Sequence, residues 1–371
     1  MSERKWRAIG VISGTSMDAI DVALIETDGL TQVRGLGARG YAYDPALRAD
    51  LGAVVADRTR AATDPLGAIE ARVTEAHAGA VAQFMAEEGL SPGDIDLLGL
   101  HGQTVFHDPA RGLTRQLIDG AAVAQTLGID TVYRFRHADV AAGGQGAPFA
   151  PLYHRALAHD LSKPLMVLNL GGVANVTWLG TDRAADGGEA VIAFDTGPAS
   201  ALIDDFVLVR TGAAFDADGR LAASGRVDAA MLARFMAHPH FAVPAPKSLD
   251  RNDFHRLTRE ILSLSDADGA ATLTAFTVES IAAALAHVPA PPGRWLVTGG
   301  GRHNGAMMRR LAERLGVPVE PVEVVGWNGD FLEAQCFGYL AVRSILGLPL
   351  SLPGTTGVAR AMTGGELVRA A

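Results

Sequence analysis

The chain has 371 residues, 48% hydrophobic and 20% charged, with a formal net charge of −9. That length gives two or three domains, each able to bury roughly 70% of its unfolded surface, and the acidic balance, with no basic run or basic-and-aromatic stripe, excludes nucleic acid as a partner. Cys336 is the single cysteine, which excludes an intrachain disulfide or a thiolate metal cluster and fits a reducing cytoplasm. MSERKWRAIG has no apolar leader core, and no later stretch offers about 18 uninterrupted apolar residues, so neither secretion nor a membrane span is expected.

Trp6 to Tyr43 reads as three short antiparallel strands, RAIGVIS, DVALIETDG and VRGLGARGYAYD. The turn between the first two lies in VISGTSMDAID, Val11 to Asp21. Gly and hydroxyl residues there offer backbone N–H groups to an anion, and Asp18 and Asp21 are placed to position a metal ion or its waters, a candidate triphosphate cradle. The ordinary alternative is a turn that only reverses the chain. GLGARG, Gly35 to Gly40, spells a dinucleotide fingerprint but leads into YAYDP rather than a helix, so it is a strand edge; no Gly-Lys pair exists, which rules out a P-loop.

Helices follow over Ala46 to Asp57 and Pro65 to Gly89, then strands in DLLGLHGQTVFHD and TRQLID, a helix over Ala121 to Leu127, the strand-like TVYRFR and the loop AAGGQGAP. Pro164 opens a second cycle: PLMVLNLGGVANVTWLG and AVIAFDTG repeat the strand, Gly-rich turn, strand, acid pattern of the N-terminus, which reads as a duplicated core. Helices are expected over Ala201 to Val209, Asp228 to Ala237, Asp253 to Leu264 and Ala270 to His287. The strand RWLVTGGG and a helix over His303 to Leu315 complete the cycle.

Several residues are candidates for chemistry. Asp195 ends a buried strand before a Gly-Pro turn, where a carboxylate is costly to desolvate unless it is used, so it is the candidate general base, with a helix cap as the alternative. Gly299, Gly300 and Gly301 sit where strand meets helix and would let a flat adenine or ribose approach the backbone, or serve as a packing turn. His101 in HGQTVFH is equally a core hydrogen-bonding residue or a substrate contact. Arg136 and Asp139 precede the flexible loop and suit an anionic substrate group, or form a surface salt bridge. Glu333 is the only acid after the first residue of DFLEAQCFGYLAVR, where a substrate hydroxyl would give it a partner. Lys247 in PAPKSLDRNDF is better read as capping a loop than as holding a phosphate.

Together, GTSMDAID, HGQTVFH, DVAAGGQGAP, NLGGVANVT, FDTGP, PKS, GGGRHN, LEAQCFGYLAVR and PGTTGV closely resemble the bacterial anhydro-N-acetylmuramic acid kinases from about Ile9 to Val358. The resemblance implies an α/β, two-domain actin-like ATPase fold of duplicated ribonuclease H-like domains with an interdomain active-site cleft. We place the N-terminal domain at 1–132 plus 362–371 and the C-terminal domain at 133–361. It further implies that ATP and Mg²⁺ are used, that 1,6-anhydro-N-acetylmuramic acid is opened by water and phosphorylated on O6 during cell-wall recycling, and that the chain dimerises.

By the same resemblance Asp195 takes the proton of the attacking water. Gly14, Thr15, Ser16, Met17, Asp18, Ala19, Ile20 and Asp21 form the nucleotide loop, joined by Gly171, Gly172, Gly299, Gly300 and Gly301. Arg136 and Glu333 contact the sugar; from the residues themselves His101 is a further substrate candidate, and Asp18 and Asp195 are the candidates to serve Mg²⁺ through water. The chain departs from the family pattern at Ala19 for Gly, Ser200 for Asn and Arg134 for Asp. Ala19 requires a negative φ, and Arg134 inverts a charge two residues from a proposed sugar contact.

Overall fold

The apolar runs on either side of Gly14 form a hairpin, β1 (Trp6–Ser13) and β2 (Ala19–Thr27), which continues antiparallel into β3 (Val33–Ala42). β1 also pairs in parallel with β4 (Leu97–Asp108), and β4 in parallel with β6 (Thr131–Tyr133). β5 (Leu113–Leu117) folds back on the end of β4. These coordinates are a computed structural model that describes residues 4–14, 17–184, 186–249, 254 and 259–370.

The second cycle repeats the pattern. β7 (Leu165–Leu170), β8 (Val173–Arg183) and β9 (Glu189–Pro198) are antiparallel neighbours, and β7 pairs in parallel with β10 (Trp295–Thr298), which pairs in parallel with β11 (Val319–Pro321). The orders β3-β2-β1-β4-β6 and β9-β8-β7-β10-β11 are the same, with the same strand senses. The duplicated core read from the sequence is therefore present, each copy being a ribonuclease H-like sheet. β12 (Glu366–Val368) adds an antiparallel edge to the first sheet.

The chain divides into two compact units, Met1–Asp160 with Phe331–Ala371, and Leu161–Asp330. The breaks fall at 160/161 and 330/331 rather than at 132/133 and 361/362. Segment 133–160 and the helix Leu332–Ile345 belong with the first sheet. That helix lies directly on β1 and β4: a Cβ on Gly10 would stand 1.9 Å from the Ala334 carbonyl oxygen, and one on Gly99 would stand 2.2 Å from that of Phe337. Every helix residue from Ala334 to Arg343 is buried.

Local signals explain most helix starts. Asp44 accepts from the Ala46 and Leu47 N–H groups to cap Pro45–Ala56, Asp228 caps Ala229–Met236, and Asn304 caps Gly305–Leu315. Of the expected helix over Asp253 to Leu264, residues 253 and 255–258 lie outside the described residues; of the rest, 259–261 are helical and 262–264 already form a turn. TVYRFR is strand only as far as Tyr133, because Arg134 takes a left-handed φ of 56° and a short helix, His137–Ala141, follows. The stretch Asp266–His287 is long and apolar enough by composition to cross a membrane, but 72% of its most apolar window is buried within the protein. There Phe276 packs against Phe235 and Phe254 at ring separations of 5.3 and 5.6 Å.

Replacing Gly10 by Ala should destabilise the first unit by about 3 kcal/mol, the upper end of overpacking costs, because helix backbone cannot give way as a side chain can. A urea midpoint unchanged from wild type would contradict the backbone contact.

Candidate functional site

In the first unit the Gly14–Asp18 turn joins β1 to β2, with the Met17 N–H donating to the Gly14 carbonyl at 3.1 Å and Met17 at a φ of 53°. Thr15 and Ser16 lie outside the described residues. Asp18 is exposed, and its Oδ1 accepts from the Ala19 N–H at 3.0 Å. Ala19 opens β2 without positive φ, so the Gly-to-Ala departure carries no backbone strain. Ile20 is core, and Asp21 is half-buried beside Gly40 of β3.

A buried polar chain fixes the start of this turn. Gln103 on β4 donates from Nε2 to the Gly14 carbonyl at 3.3 Å and accepts a short bond from the Ser13 hydroxyl, which in turn accepts from the Tyr43 hydroxyl at 2.9 Å. We did not single out Gln103 or Tyr43 from the sequence. The string HGQT carries the one available signal, since a glutamine on a strand that is otherwise core needs partners.

His101 and Arg136 are brought together. The Arg136 Nε donates to His101 Nε2 at 2.8 Å, so that nitrogen is an acceptor and the proton sits on Nδ1, which donates to the Gly102 carbonyl at 2.8 Å. Burial holds the imidazole pKa well below its ordinary value, and Arg136 pushes the same way, so His101 is neutral. Arg136 also donates to the Gly146 carbonyl at 2.5 Å, and its guanidinium lies 5.6 Å from the Phe149 ring. Burial lowers its pKa, with Glu333 the leading opposing charge.

Glu333 starts the Leu332–Ile345 helix. Its carboxyl pKa is raised by desolvation against the pull of Arg136, yet the residue keeps accessible surface. The accessible surface decides the reading: this is a carboxyl that a solute can reach, not one sealed in a core.

Asp139 does not pair with Arg136 on the surface. It is 2% exposed and accepts from the Gly146 N–H at 2.7 Å, the Ser351 hydroxyl at 2.5 Å and the Thr356 hydroxyl at 2.6 Å. The Gly-rich loop after Ala141 is thereby tied to the PGTTGV segment, and His107 adds a bond to the Gln145 carbonyl at 2.9 Å. The Arg134 guanidinium goes to Glu366 at 3.1 Å, a half-exposed pair, while Arg136 takes different partners. Its inverted charge is thus matched on the neighbouring strand.

In the second unit the Gly171 and Gly172 carbonyls accept from the Ser200, Ala199 and Ala201 N–H groups and close the start of the helix Ser200–Thr211. Gly299 has a φ of 79°, and a Cβ there would stand 2.4 Å from Asn169 Oδ1; a Cβ on Gly301 would stand 2.7 Å from the Leu170 Cβ. Around a Cβ on Gly300 there is nothing within 4 Å. The outer glycines are therefore locked against β7, and the central one faces open space that a planar group could fill. Arg302, 8% exposed, donates to the Gly299 carbonyl at 3.0 Å and is held by Glu323 and Asp330, each at 2.8 Å.

Asp195 lies near the end of β9, partly accessible, and its Oδ2 accepts from the Leu249 N–H at 2.8 Å. Desolvation raises its pKa to about 7, opposed by that single hydrogen bond. Among the described residues no cation pairs with it. Lys247 instead donates to the His240 carbonyl at 2.9 Å, the loop-holding reading.

Among the described residues no three His, Cys, Asp or Glu side chains converge on a metal position. A Mg²⁺ ion carried by a triphosphate needs only one or two carboxylates beside phosphate and water, so an accessible Asp18 or a partly accessible Asp195 suits that role.

The sequence profile of the family described as anhydro-N-acetylmuramic acid kinase matches residues 6–370. A protein of that name from Acidiphilium cryptum is 54% identical over 366 residues, 98% of each chain. One from Rhizorhabdus wittichii is 51% identical over 366 residues, 97% of this chain and 98% of its own. Among solved structures, component A of (R)-2-hydroxyglutaryl-CoA dehydratase from Acidaminococcus fermentans superposes with a TM-score of 0.49 at 11% identity, covering 92% of this chain and 99% of its own. With its profile matched from Trp6 to nearly the last residue, the chain belongs to the anhydro-N-acetylmuramic acid kinase family.

Proposed function

We propose that the protein is an ATP-dependent kinase that opens 1,6-anhydro-N-acetylmuramic acid with water and phosphorylates the freed O6, giving N-acetylmuramic acid 6-phosphate and ADP. Family membership supports the substrate and the overall reaction. The observation that carries the mechanism is Asp195, a partly accessible carboxyl whose pKa of about 7 lets it take a proton near neutrality.

In this reading Asp195 accepts a proton from the water that attacks the anomeric carbon. The new C1–O bond forms as the bond between C1 and O6 breaks, and O6 takes the γ-phosphoryl group while ADP leaves. The Asp195 proton then returns to solvent. Arg136, oriented by neutral His101 and the Gly146 carbonyl, and Glu333 hold polar groups of the sugar. The Gly14–Asp21 turn and Gly171–Gly172 hold the phosphates, and Gly299–Gly301 admit the nucleoside. Mg²⁺, held through water by Asp18 or Asp195, would neutralise charge developing on the transferred phosphoryl group. The lone buried cysteine fits a cytoplasmic setting.

Mass spectrometry of the product formed from 1,6-anhydro-N-acetylmuramic acid and Mg-ATP in H₂¹⁸O tests the reading. A 6-phosphate carrying ¹⁸O at C1 is expected; absence of a phosphorylated sugar would refute it. Asp195→Asn should cost a factor of about 10² to 10⁴ in turnover through loss of base catalysis, with ATP affinity kept because the glycine turns and Asp18 still hold Mg-ATP.

The pH dependence has a definite sign. Asp195 acts ionised, so kcat/KM should rise with pH up to about 7 and level off above it. Its folded pKa lies above the unfolded value, so its stabilising contribution is present at low pH and lost as pH rises through about 7. Asp195→Asn should therefore raise Tm at pH 8 relative to wild type and by less at pH 5. A fall in Tm at pH 8 would contradict the desolvation.

Gly300→Val should leave Tm within about 1 °C of wild type while weakening ATP binding at least tenfold, because its side chain enters open space. Calorimetric titration with an ATP analogue checks this, and unchanged affinity would remove Gly300 from the nucleoside site.

A further inference from the structure

Lys247, in the PKS motif read from the sequence, is a charged residue that the mechanism leaves idle. It is 8% exposed, yet no carboxylate pairs with its ammonium among the described residues. The group donates to the His240 carbonyl at 2.9 Å, lies 3.4 Å from His287 Nε2, and stands 5.9 Å from the centre of the Phe194 ring. A buried ammonium with only neutral partners is costly, and burial lowers its pKa. An apolar side chain would fill the same space without that cost.

What the ammonium does there is close a circuit. The Asp195 N–H donates to the Lys247 carbonyl at 2.9 Å, His240 Nε2–H donates to the Asp195 carbonyl at 3.1 Å, and Lys247 Nζ donates to the His240 carbonyl. Three residues are thus joined in a ring of three hydrogen bonds that grips both backbone polar groups of Asp195. Two residues beyond Lys247 the same loop supplies the Leu249 N–H that bonds the Asp195 carboxylate. Losing the ammonium would free the loop and with it the direction in which the carboxylate points.

We propose that Lys247 is a positioning residue for Asp195, acting through the hydrogen-bonded ring it forms with His240 and the Asp195 backbone. The proposal rests on the reading of Asp195 as the base. It requires no contact of Lys247 with substrate.

The test uses the full-length enzyme with 1,6-anhydro-N-acetylmuramic acid and Mg-ATP, comparing Lys247→Met, His240→Phe, the double variant and Asp195→Asn for kcat, both KM values and Tm. A misaimed catalytic group costs on the order of 10²-fold, so each single variant should lose about 10- to 100-fold in kcat with both KM values within about threefold. The double variant should lose no more than the worse single, because a ring broken at either bond is the same broken ring. Losses that multiply in the double variant, or a normal kcat in Lys247→Met beside an inactive Asp195→Asn, would overturn the proposal while leaving Asp195 as the base. A normal rate in Asp195→Asn would overturn the base reading itself and the proposal with it. Should Lys247→Met fail to fold, His240→Gln decides: its amide can restore the donor, so kcat recovered relative to His240→Phe supports the ring, and equal rates overturn it.

Discussion

The first unit depends on one backbone-to-backbone contact. The helix Leu332–Ile345 reaches β1 and β4 at Gly10 and Gly99, where its carbonyls occupy the space any side chain would need. The approach leaves the helix little room to shift, since neither partner can yield by changing rotamer. Glu333 begins that helix, and Phe337, one turn on, packs in tilted ring contacts against His101 at 4.6 Å and Phe135 at 5.2 Å. His101 in turn accepts from Arg136. Glycine on two strands therefore fixes, through helix, ring and imidazole, the guanidinium proposed to meet the sugar.

The electrostatics follow from how little water these groups retain. Arg136 has a neutral histidine and a carbonyl as its direct partners, and the nearby Glu333 offsets only part of its desolvation. Asp195 has one backbone N–H at its carboxylate and no cation among the described residues. Tighter ion pairs would stabilise the fold more, but would also hold Arg136 permanently charge-matched and Asp195 permanently ionised at low pH. Sparse pairing leaves each group able to gain most from a bound ligand or a passing proton. Perturbed groups of this kind gather where chemistry is done.

What was legible in the sequence was local. The hairpin around Gly14 and the repeated core each declare themselves in short stretches, because strand and turn patterning is short-range physics. Asp195 was legible for the same reason, an acid at the end of an apolar strand. The end of β6 was not, since nothing in TVYRFR signals the left-handed φ at Arg134, whose side chain pairs with Glu366 from the far end of the chain. The unit boundaries were missed because helix Leu332–Ile345 returns to strands more than 200 residues earlier. The Ser13–Gln103–Tyr43 chain and the Asp195–His240–Lys247 ring were likewise out of reach, as their members are adjacent only after folding.

The two copies of the core show why a repeat in pattern does not carry a repeat in chemistry. Both contain a turn between their first two strands. In the second copy the carbonyls of that turn, at Gly171 and Gly172, accept from N–H groups at the start of the Ser200–Thr211 helix, which ties the turn to that helix. In the first copy the corresponding turn ends on exposed Asp18 and is steadied from behind by Gln103. The third strands diverge the other way: β3 is a glycine-rich edge without an acid, whereas β9 carries Asp195 into a desolvated position. Duplication supplied one scaffold twice, and polar groups were then placed at different strand positions in each.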